Sequence, residues 1–485
     1  MTQHRELFIG AESVPGASGT TEDVNPYTGE VFATVAAASS ADATRAVDAA
    51  SSAFEEWSRS GALTRRKVFL AAADVLERRT EEAVELMRDE VGAAAPWARF
   101  NVALAANVFR EAAATVTSPR GEVLSSDAPG ELGFALRQPA GVVAAFAPWN
   151  APLILGARSL AVPLAVGNTV VLKPSEDAPV TAGLFFAEVL TEAGLPSGAL
   201  NVVTNAREDA ATVGNTLIAD PRVRRVNFTG STEVGRSVGV EAARHLKPAV
   251  LELGGKNSVI VLDDADLDYA VDAVTFGAFM NAGQICMSAD RVLVPRGMRE
   301  EFARRFAAKV AGLKQGDPAE SDTVVGPLID SSSAERVACL VDDAVSKGAV
   351  LHTGGGGPKG ACYPPTVLSG VDTDQRLYSE EIFGPVSTVL GYADVEEAIA
   401  VANDTPYGLS AGVITESTGR GWAVARRLNT GVVHVNDQTV GDEPQAPFGG
   451  VGDSGYGHFG GRNGVESFTD TRWVTFRENH AGYPF

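Results

Sequence analysis

The sequence predicts an α/β protein built around a parallel sheet, and two observations support this prediction. From residue 142 onward, short apolar segments alternate with helical ones, as in "GVVAAFAP" followed by "APLILGARSLAVPLAVG" and "TVVLKP" followed by "APVTAGLFFAEVLTEAG". Segments that are apolar along their whole length are typical of parallel strands covered by helices on both faces. The composition, with 45% hydrophobic residues and 51 glycines, suits a compact protein with many tight strand-to-helix turns.

The segments around this region predict further elements. "SADATRAVDAASSAFEEW" and "TRRKVFLAAADVLERRTEEAVELMRDEV" carry apolar residues at three- and four-residue spacing, which indicates helices. "SPRGEVLSSDAPGELGFALRQPAG" is rich in turn residues and predicts a projecting hairpin. A second α/β unit is expected from "AVLELGGKNSVIV" to "GVVHVNDQ", and "SFTDTRWVTFRE" predicts an edge strand that could pair with another chain. At 485 residues the chain should form about three domains.

Charge and cysteine content exclude several classes of function. The formal net charge of -21 would repel a phosphate backbone, so nucleic acid is not an expected partner. The start "MTQHRELFIG" lacks a signal-peptide pattern and the apolar runs are short, so we expect a cytoplasmic protein that does not enter the membrane. The three cysteines, Cys286, Cys339 and Cys362, form no CxxC pair, which argues against a disulfide framework and a metal site.

Cys286, in "NAGQICMSADR", therefore has two remaining interpretations. Free cysteine is among the most buried residue types, so this thiol could be a small core side chain. A thiolate is also strongly nucleophilic near neutral pH. Gly283 permits an unusual turn before the thiol, and the segment lies between a predicted helix and a predicted strand, where side chains are presented rather than packed.

Two polar residues follow predicted strands. Glu252, in "VLELGGKN", could be solvated or paired with a cation. Among apolar neighbours its pKa would rise, and it could then act as a general base. Asn150, in "FAPWNAP", could cap the following helix or donate its side-chain N–H to an oxyanion.

Two strand-to-helix turns suggest a dinucleotide site. In "TVVLKPSED", Lys173 and Glu176 follow an apolar strand, where a carboxylate can accept both ribose hydroxyls and would repel a 2′-phosphate. In "VNFTGSTEVG", Gly230, Ser231 and Thr232 open a helix whose N-terminal amides could receive a pyrophosphate, although a plain capped turn explains the pattern equally well.

Eight motifs occur in an order and spacing that resemble NAD(P)-dependent aldehyde dehydrogenases over essentially the whole chain: "PWN", "KPSE", "FTGSTEVG", "ELGGK", "GQIC", "EEIFGPV", "NDTPYGL" and "PFGG". "GQICMSADRVLV" together with "HVNDQTVGDEPQAPFGGVGDSGYGHFGG" is most similar to the benzaldehyde, vanillin and salicylaldehyde dehydrogenase branch. The resemblance implies an aldehyde dehydrogenase-like fold with a Rossmann-type parallel-sheet cofactor domain, an α/β catalytic domain and a small β oligomerisation element.

The resemblance also implies site residues. Cys286 matches the nucleophile, Glu252 the general base, and Asn150 the oxyanion donor together with the Cys286 backbone amide; Lys173 is carried over with this catalytic set. The implied cofactor contacts are Trp149, Lys173, Glu176, Gly214, Gly230, Ser231, Thr232, Glu381 and Phe383. Glu252 implies hydrolysis of a thioester rather than transfer to coenzyme A. The expected cofactor is NAD, with NADP as an alternative.

The expected substrate is a small aromatic or apolar aldehyde. Ile285 and Met287 flank the thiol with apolar bulk, and Phe448 would add an aromatic wall. An aliphatic aldehyde or a semialdehyde is the alternative, and a semialdehyde carboxylate would need a cation such as Arg158. Arg158 could instead meet a ring hydroxyl or form a structural ion pair. A catalytically silent family member is a further alternative, against which the intact Cys286, Glu252 and Asn150 argue.

The resemblance divides the chain into segments and implies an assembly. The division is residues 1–118 and 140–251 for NAD binding, 252–440 for catalysis, 119–139 and 463–485 for an oligomerisation hairpin and C-terminal strand, and 441–462 for a substrate-site and linker segment. The chain is expected to form a homodimer or a homotetramer.

Overall fold

The computed structural model describes residues 3–118, 120–480 and 482–485. Positions 1, 2, 119 and 481, which the predicted segments 1–118, 119–139 and 463–485 include, lie outside the described residues. The strands are β1 (Gln3–Arg5), β2 (Leu7–Ile9), β3 (Glu12–Val14), β4 (Thr20–Val24), β5 (Val31–Ala36), β6 (Gly121–Leu124), β7 (Glu131–Pro139), β8 (Val142–Ala147), β9 (Thr169–Pro174), β10 (Leu200–Val202), β11 (Val223–Thr229), β12 (Ala249–Glu252), β13 (Asn257–Val261), β14 (Ala289–Pro295), β15 (Val350–Thr353), β16 (Thr366–Ser369), β17 (Val386–Tyr392), β18 (Ser410–Ile414), β19 (Val432–Val435), β20 (Gly455–Tyr456) and β21 (Thr469–Arg477).

The helices are α1 (Ser40–Arg59), α2 (Ala62–Arg78), α3 (Thr80–Val91), α4 (Ala95–Thr115), α5 (Pro152–Ala165), α6 (Phe185–Glu192), α7 (Ala210–Ala219), α8 (Thr232–Arg244), α9 (Leu267–Phe279), α10 (Arg299–Ala311), α11 (Ser331–Ser346), α12 (Arg376–Ser379), α13 (Val395–Asn403), α14 (Thr418–Ala425) and α15 (Gly461–Ser467). None of these helices is long and apolar enough to cross a membrane, within the part of the chain that the structure describes. Helices α1, α2 and α3 fall in the segments whose apolar spacing predicts them.

The first large sheet has the strand order β20-β12-β11-β8-β9-β10-β2-β3. The five strands from β12 to β10 are parallel, and the remaining strands pair antiparallel at the two edges. The chain enters the parallel part at β8 and continues to β9 on one side and later to β11 on the other. Strand order therefore reverses between β8 and β11, and ligands bind at such a reversal, beyond the carboxyl ends of the strands.

The apolar strands of this sheet are buried on both faces. In β8, Val143 and Ala145 join a core formed with α2, α4 and α5, whereas Val142, Ala144 and Phe146 join a second core formed with α1, α7 and α8. Successive side chains of a strand point to opposite faces, so a sheet covered on both sides needs apolar residues at every position. This double burial explains why the strand segments do not alternate in the sequence.

The second large sheet has the order β15-β16-β17-β14-β13-β18-β19, parallel except for β15. Helices α9, α10 and α11 cover one face, and α13 and α14 cover the other. Four residues, 253–256, join β12 of the first sheet to β13 of the second. The two sheets therefore meet where β12 ends.

The predicted hairpin is confirmed as β6 and β7, which pair antiparallel. The C-terminal strand β21 pairs with β7 of the same chain over nine residues, from Thr469 opposite Pro139 to Arg477 opposite Glu131. One edge of β21, the segment predicted to pair with another chain, is therefore already paired within its own chain. A small three-stranded sheet at the N-terminus has the order β1-β5-β4.

Candidate active site

A cavity of about 340 Å³ lies at the reversal point between β8 and β11. Its walls come from the loop after β8, the N-terminus of α8, the end of β12, the cysteine segment before β14, the start of α11 and the loop before β17. The lining residues are Pro148, Trp149, Asn150, Leu155, Thr229, Gly230, Ser231, Glu252, Leu253, Gly254, Cys286, Ser333, Arg336, Glu381 and Phe383. The three residues that the sequence singles out for catalysis, Cys286, Glu252 and Asn150, therefore border one cavity.

The segment before Cys286 makes an abrupt turn. Three consecutive residues have positive φ angles: 51° at Asn281, 54° at Ala282 and 71° at Gly283. Residues other than glycine rarely adopt this conformation. A Cβ atom on Gly283 would lie 2.1 Å from the Gly384 carbonyl oxygen. Only glycine fits this position, as the sequence analysis suggests, and the turn directs the thiol toward the cavity.

Hydrogen bonds hold the cysteine segment after this turn. Asn257 Nδ2, at the start of β13, donates to the Cys286 carbonyl at 2.8 Å. Ser288 Oγ donates to the Gly283 carbonyl at 3.0 Å. These bonds fix the backbone on both sides of the sulfur, so the position of the thiol is set by the second sheet.

Asn150 is tied to the cysteine segment and does not cap α5. Its Nδ2 donates to the Gln284 carbonyl at 3.0 Å, and Ala151 occupies the capping position of the helix. The Asn150 backbone carbonyl accepts hydrogen bonds from Trp97 Nε1 at 3.2 Å and from Asn281 Nδ2 at 2.9 Å. Of the two interpretations that the sequence leaves open, the helix cap is wrong, because the side-chain amide points toward the loop that carries the thiol.

Gln284 anchors this arrangement, a role that the sequence motifs did not assign to it. Its side-chain oxygen accepts a hydrogen bond from the Ile329 amide at 2.9 Å, and its Nε2 donates to the Asn281 and Pro327 carbonyls at 3.2 and 3.3 Å. A glutamine between a glycine and an apolar residue in a buried segment is a signal that could have identified it, because buried amides need partners.

Glu252 ends β12 with 1% of its surface exposed, and its Oε1 has no hydrogen-bond partner among the described residues. Burial raises the pKa of this carboxyl to about 8, while the Arg158 charge opposes the rise and the Asp442 charge adds to it. A hydrogen bond from the Gly450 backbone also opposes the rise. Burial nevertheless dominates, because water no longer stabilises the anion. The direction matches the sequence prediction, and Glu252 is poised to exchange a proton near neutral pH.

The Cys286 thiol is partly exposed to the cavity but lies deep within it. Burial raises the pKa of the thiol well above its usual value, and the negative charges of Glu252 and Glu381 raise it further. The thiol is therefore protonated at neutral pH in this environment. A neighbouring group must take the proton when the sulfur reacts. Glu252 is a candidate, because its charge influences the thiol and its pKa of about 8 allows it to accept a proton near neutral pH.

The two glycines of "ELGGK" permit the close approach of three chain segments. A Cβ atom on Gly254 would lie 2.4 Å from Glu381 Oε2, and one on Gly255 would lie 2.5 Å from the Cys286 carbonyl oxygen. The Gly255 amide donates to Glu381 Oε1 at 2.9 Å. Any larger residue at these positions would push the base strand away from the nucleophile and from Glu381.

The predicted cofactor contacts Trp149, Gly230, Ser231, Glu381 and Phe383 all border the cavity. Ser231 caps α8, and its Oγ accepts a hydrogen bond from the Val234 amide. Phe383 has a φ angle of 49° and meets Trp149 edge to face at 5.6 Å between ring centroids. In one groove, the helix N-terminus can receive an anionic group, the carboxyl can accept hydrogen bonds from hydroxyls, and the aromatic walls suit an apolar part of a ligand.

Comparisons with known proteins agree with this geometry. Residues 14–474 match the model of the Aldehyde dehydrogenase family. A vanillin dehydrogenase of Pseudomonas fluorescens is 51% identical over 99% of both chains, and a benzaldehyde dehydrogenase [NAD(+)] of Pseudomonas putida is 38% identical over 97% of this chain and 96% of the relative. The chain belongs to the aldehyde dehydrogenase family. A crystal structure of a salicylaldehyde dehydrogenase from Pseudomonas putida G7 complexed with salicylaldehyde is 42% identical, with a TM-score of 0.97 over 100% of both chains.

Four residues that the family resemblance assigns to the cofactor lie beyond the cavity lining: Lys173, Glu176, Gly214 and Thr232. Lys173 Nζ and Glu176 Oε1 form an ion pair at 2.5 Å, and Asn205 Nδ2 donates to Glu176 at 2.9 Å. Glu176 borders a separate cavity of about 500 Å³. Gly214 is buried in α7, where a Cβ atom would lie 3.4 Å from the Phe146 ring. Their cofactor contacts stay predictions. Thr232, also outside the lining, accepts a hydrogen bond from the Gly254 amide at its Oγ1, at 3.3 Å.

The predicted substrate residues are buried and do not border the cavity. Ile285, Met287 and Phe448 belong to the apolar core that Cys286 packs against. Arg158 forms an ion pair with Asp442 at 2.5 Å and lies over the Phe448 ring at 4.3 Å from its centroid. Of the interpretations proposed for Arg158, the structural ion pair is the one that this aldehyde dehydrogenase fold contains.

Ser333 and Arg336 of α11 also border the cavity, and no motif in the sequence pointed to them. Arg336 Nη2 donates to the Ile382 carbonyl at 2.6 Å, which ties α11 to the loop that carries Glu381. Their position follows from the packing of α11 against that loop, a long-range contact without a local sequence signal.

Gly283→Ala tests the turn before the thiol. We expect kcat/KM for aldehyde oxidation to fall on the order of 100-fold, because the added Cβ must displace the cysteine loop and reacting groups tolerate little misplacement. Gly297→Ala is the matched control, since its Cβ would have no neighbour within 4 Å. Steady-state kinetics of the two folded variants decide the point; equal kcat/KM values would contradict the role assigned to Gly283.

Proposed function

We propose that this protein oxidises an aromatic aldehyde to the carboxylic acid with NAD as the hydride acceptor. The observation that carries the proposal is the convergence of the Cys286 thiol, the Asn150 amide and the buried Glu252 carboxyl on one cavity at the strand-order reversal. The names of the similar vanillin, benzaldehyde and salicylaldehyde dehydrogenases support the substrate class.

The groove residues fit NAD. The N-terminal amides of α8 beside Ser231 would receive the pyrophosphate, and Glu381, whose Oε2 closely faces Gly254, would accept hydroxyls of the nicotinamide ribose. Lys173 and Glu176 would contact the adenosine ribose, and the Glu176 carboxylate favours NAD over NADP. Bound NAD would supply the acceptor for the hydride that leaves the aldehyde carbon.

Acylation begins at Cys286. Its sulfur forms a bond to the aldehyde carbon while the thiol proton moves to the ionised form of Glu252, which a pKa of about 8 makes available near neutral pH. The carbonyl oxygen becomes negative and is held by the Cys286 backbone amide and by the second N–H of Asn150 Nδ2, the first being used on the Gln284 carbonyl. Loss of hydride from the same carbon leaves a thioester on Cys286.

Hydrolysis of the thioester returns the enzyme to its starting state. Glu252, after losing its proton to solvent, accepts a proton from a water molecule, and the resulting hydroxide adds to the thioester carbon. The carbon–sulfur bond breaks, the carboxylic acid leaves, and the sulfur takes the proton held by Glu252, which restores the thiol. Asn150 again holds the negative oxygen, because the second tetrahedral species develops charge at the same atom.

Charge and polarity around the thiol favour a neutral aromatic aldehyde over a semialdehyde. The charge of Arg158 is already balanced by Asp442, so a substrate carboxylate would find no unpaired cation there. Ile285 and Met287 flank Cys286 in the chain and, like Phe448, belong to the apolar core against which Cys286 packs; burial of an aromatic ring against such residues is favourable.

A substrate panel tests the proposal. Benzaldehyde, vanillin, salicylaldehyde, hexanal and succinate semialdehyde are compared with NAD and with NADP by kcat/KM. We expect the three aromatic aldehydes with NAD to rank first, and Cys286→Ala to form no NADH while it still binds NAD. A higher kcat/KM for hexanal or the semialdehyde would replace the aromatic assignment, and turnover by Cys286→Ala would remove the nucleophile.

Glu252→Gln tests the base. Because only the ionised carboxyl can accept a proton, the wild-type deacylation rate should fall about tenfold per pH unit below the pKa of about 8 and level off above it. The variant should lose this pH limb. Its acylation should slow as well, but an NADH burst near one equivalent per site should remain, because water is a far weaker acid than a thiol and deacylation therefore loses more. Rapid-mixing kinetics from pH 6 to 9 measure the pH limb and the burst. Glu56→Gln, at an exposed position of α1, is the control. A wild-type pH profile in Glu252→Gln would exclude the base role.

We also infer that the chain forms a homodimer or homotetramer through the sheet of β6, β7 and β21. One face of this sheet carries a row of apolar side chains: Val123 opposite Phe134, Phe134 opposite Val474, and Leu132 opposite Phe476. Val123, Leu132 and Phe476 are 71%, 51% and 58% exposed. Apolar side chains gathered on one exposed sheet face are typical of protein–protein contacts.

Val123→Arg combined with Phe476→Arg tests this assembly. We expect the molar mass from size-exclusion chromatography with light scattering to fall toward that of a single chain or dimer, because buried arginines without partners oppose association. Leu63→Arg, at an exposed position of α2, is the control for a charge added elsewhere on the surface. An unchanged molar mass would exclude this face as the interface.

The cytoplasm is the location that we propose. The three cysteines are unpaired thiols in the structure, and a reducing compartment preserves a reactive thiol such as Cys286. Fractionation of cells that express the protein tests the location.

A further inference from the structure

The ion pair of Arg158 and Asp442 joins α5 to the loop after β19 inside the protein. The two side chains are 6% and 8% exposed, and the guanidinium lies over the Phe448 ring and 5.8 Å from the centroid of Phe459. Arg158 Nη2 donates to both Asp442 oxygens, whereas Nη1 is buried without a hydrogen-bond partner among the described residues. The pair is thus a buried dipole in which Arg158 Nη1 has no hydrogen-bond partner among the described residues.

This dipole acts on both reacting groups. The charged groups that influence Glu252 are Arg158, which lowers the pKa of its carboxyl, and Asp442, which raises it. The Cys286 thiol is influenced by the same two groups with the same signs, and also by the negative charges of Glu252 and Glu381. Because charges interact strongly in a buried environment, an imbalance within the pair would be felt at the acyl site.

We propose that Asp442 is a positioning residue for the acyl site: it holds the Arg158 guanidinium against the Phe448 ring and balances the positive charge that this guanidinium brings close to Glu252 and Cys286. The proposal rests on the proposed function, since it gives meaning to the charges around the nucleophile and the base. The pair would thereby keep Glu252 basic enough to accept a proton.

The sign of the effect follows from the charges. Guanidinium groups are in effect permanent cations in proteins, so loss of the Asp442 charge leaves an unbalanced cation beside the site. A cation stabilises both the thiolate and the carboxylate, and both groups would then ionise at lower pH. A purely structural ion pair would alter stability without moving these ionisations.

Alkylation of Cys286 in the cofactor-free protein tests this effect without turnover. The rate of reaction with iodoacetamide is followed from pH 6.5 to 9.5 by mass spectrometry of the peptide that contains Cys286. For Asp442→Asn we expect the profile to move by about one pH unit toward lower pH. Alkylation should be several-fold faster at each pH on the rising limb, because part of the gain in thiolate is offset by its lower nucleophilicity.

Controls separate the charge effect from disturbed packing. Asp442→Glu keeps the charge and should keep the wild-type profile. Cys339, exposed on α11, is alkylated in the same sample and its profile should not move. Asp442→Ser removes the same carboxylate but keeps a hydroxyl that can accept a hydrogen bond from Arg158, and its Cys286 profile, compared with that of the wild type, should also move toward lower pH. This comparison serves if Asp442→Asn alone does not fold, as judged by thermal unfolding.

An unchanged or slower Cys286 profile in folded Asp442→Asn would overturn the proposal, and so would an equal displacement in Asp442→Glu. In active variants, the pH limb of deacylation should move in the same direction as the alkylation profile, and a fixed limb would also overturn it. Failure of the proposed function is distinguishable, because it appears as turnover by Cys286→Ala or as absent aldehyde oxidation by the wild type, whatever the alkylation profile.

Discussion

The close contact of three chain segments at the end of β12 is the constraint on which the site depends. Residues 253–256 lead from the first large sheet to the second, and here the backbone passes against the Cys286 carbonyl and the Glu381 carboxylate. Gly254 and Gly255 have no room for a Cβ atom. The base at the end of β12 and the nucleophile before β14 belong to different sheets, so this contact brings together groups that neither sheet could supply alone.

Burial then sets the chemistry of the groups that meet there. Loss of water raises the pKa of Glu252 to about 8 and that of Glu381 to about 7, and it raises the pKa of the Cys286 thiol well above its usual value. In such an environment a neighbouring charge has a large effect, which gives the ion pair of Arg158 and Asp442 its importance. The same burial that keeps the thiol protonated supplies, in Glu252, a group able to take that proton.

Much of the fold could be predicted from the sequence, because the signals were local. Helical spacing identified the segments of α1, α2 and α3, and continuous apolar runs identified β8, β9 and β11 as buried parallel strands. The hairpin of β6 and β7 was also visible from its turn residues. The strand that pairs with the C-terminal strand could not be predicted. Alternation of polar and apolar side chains indicates a strand but does not identify its neighbour in the sheet.

In the candidate site, too, some features could be predicted from the sequence and others could not. The sequence by itself determined the residue types: a lone thiol after a glycine turn, a carboxyl and an amide at strand ends, and motifs in the order found in aldehyde dehydrogenases. Only the tertiary structure decided that Asn150 donates to the Gln284 carbonyl instead of capping α5, and that Arg158 is paired with Asp442, which lies 284 positions away in the chain. The reason is physical: residue type and spacing are written locally, whereas burial and the choice of hydrogen-bond and charge partners arise when distant segments pack together.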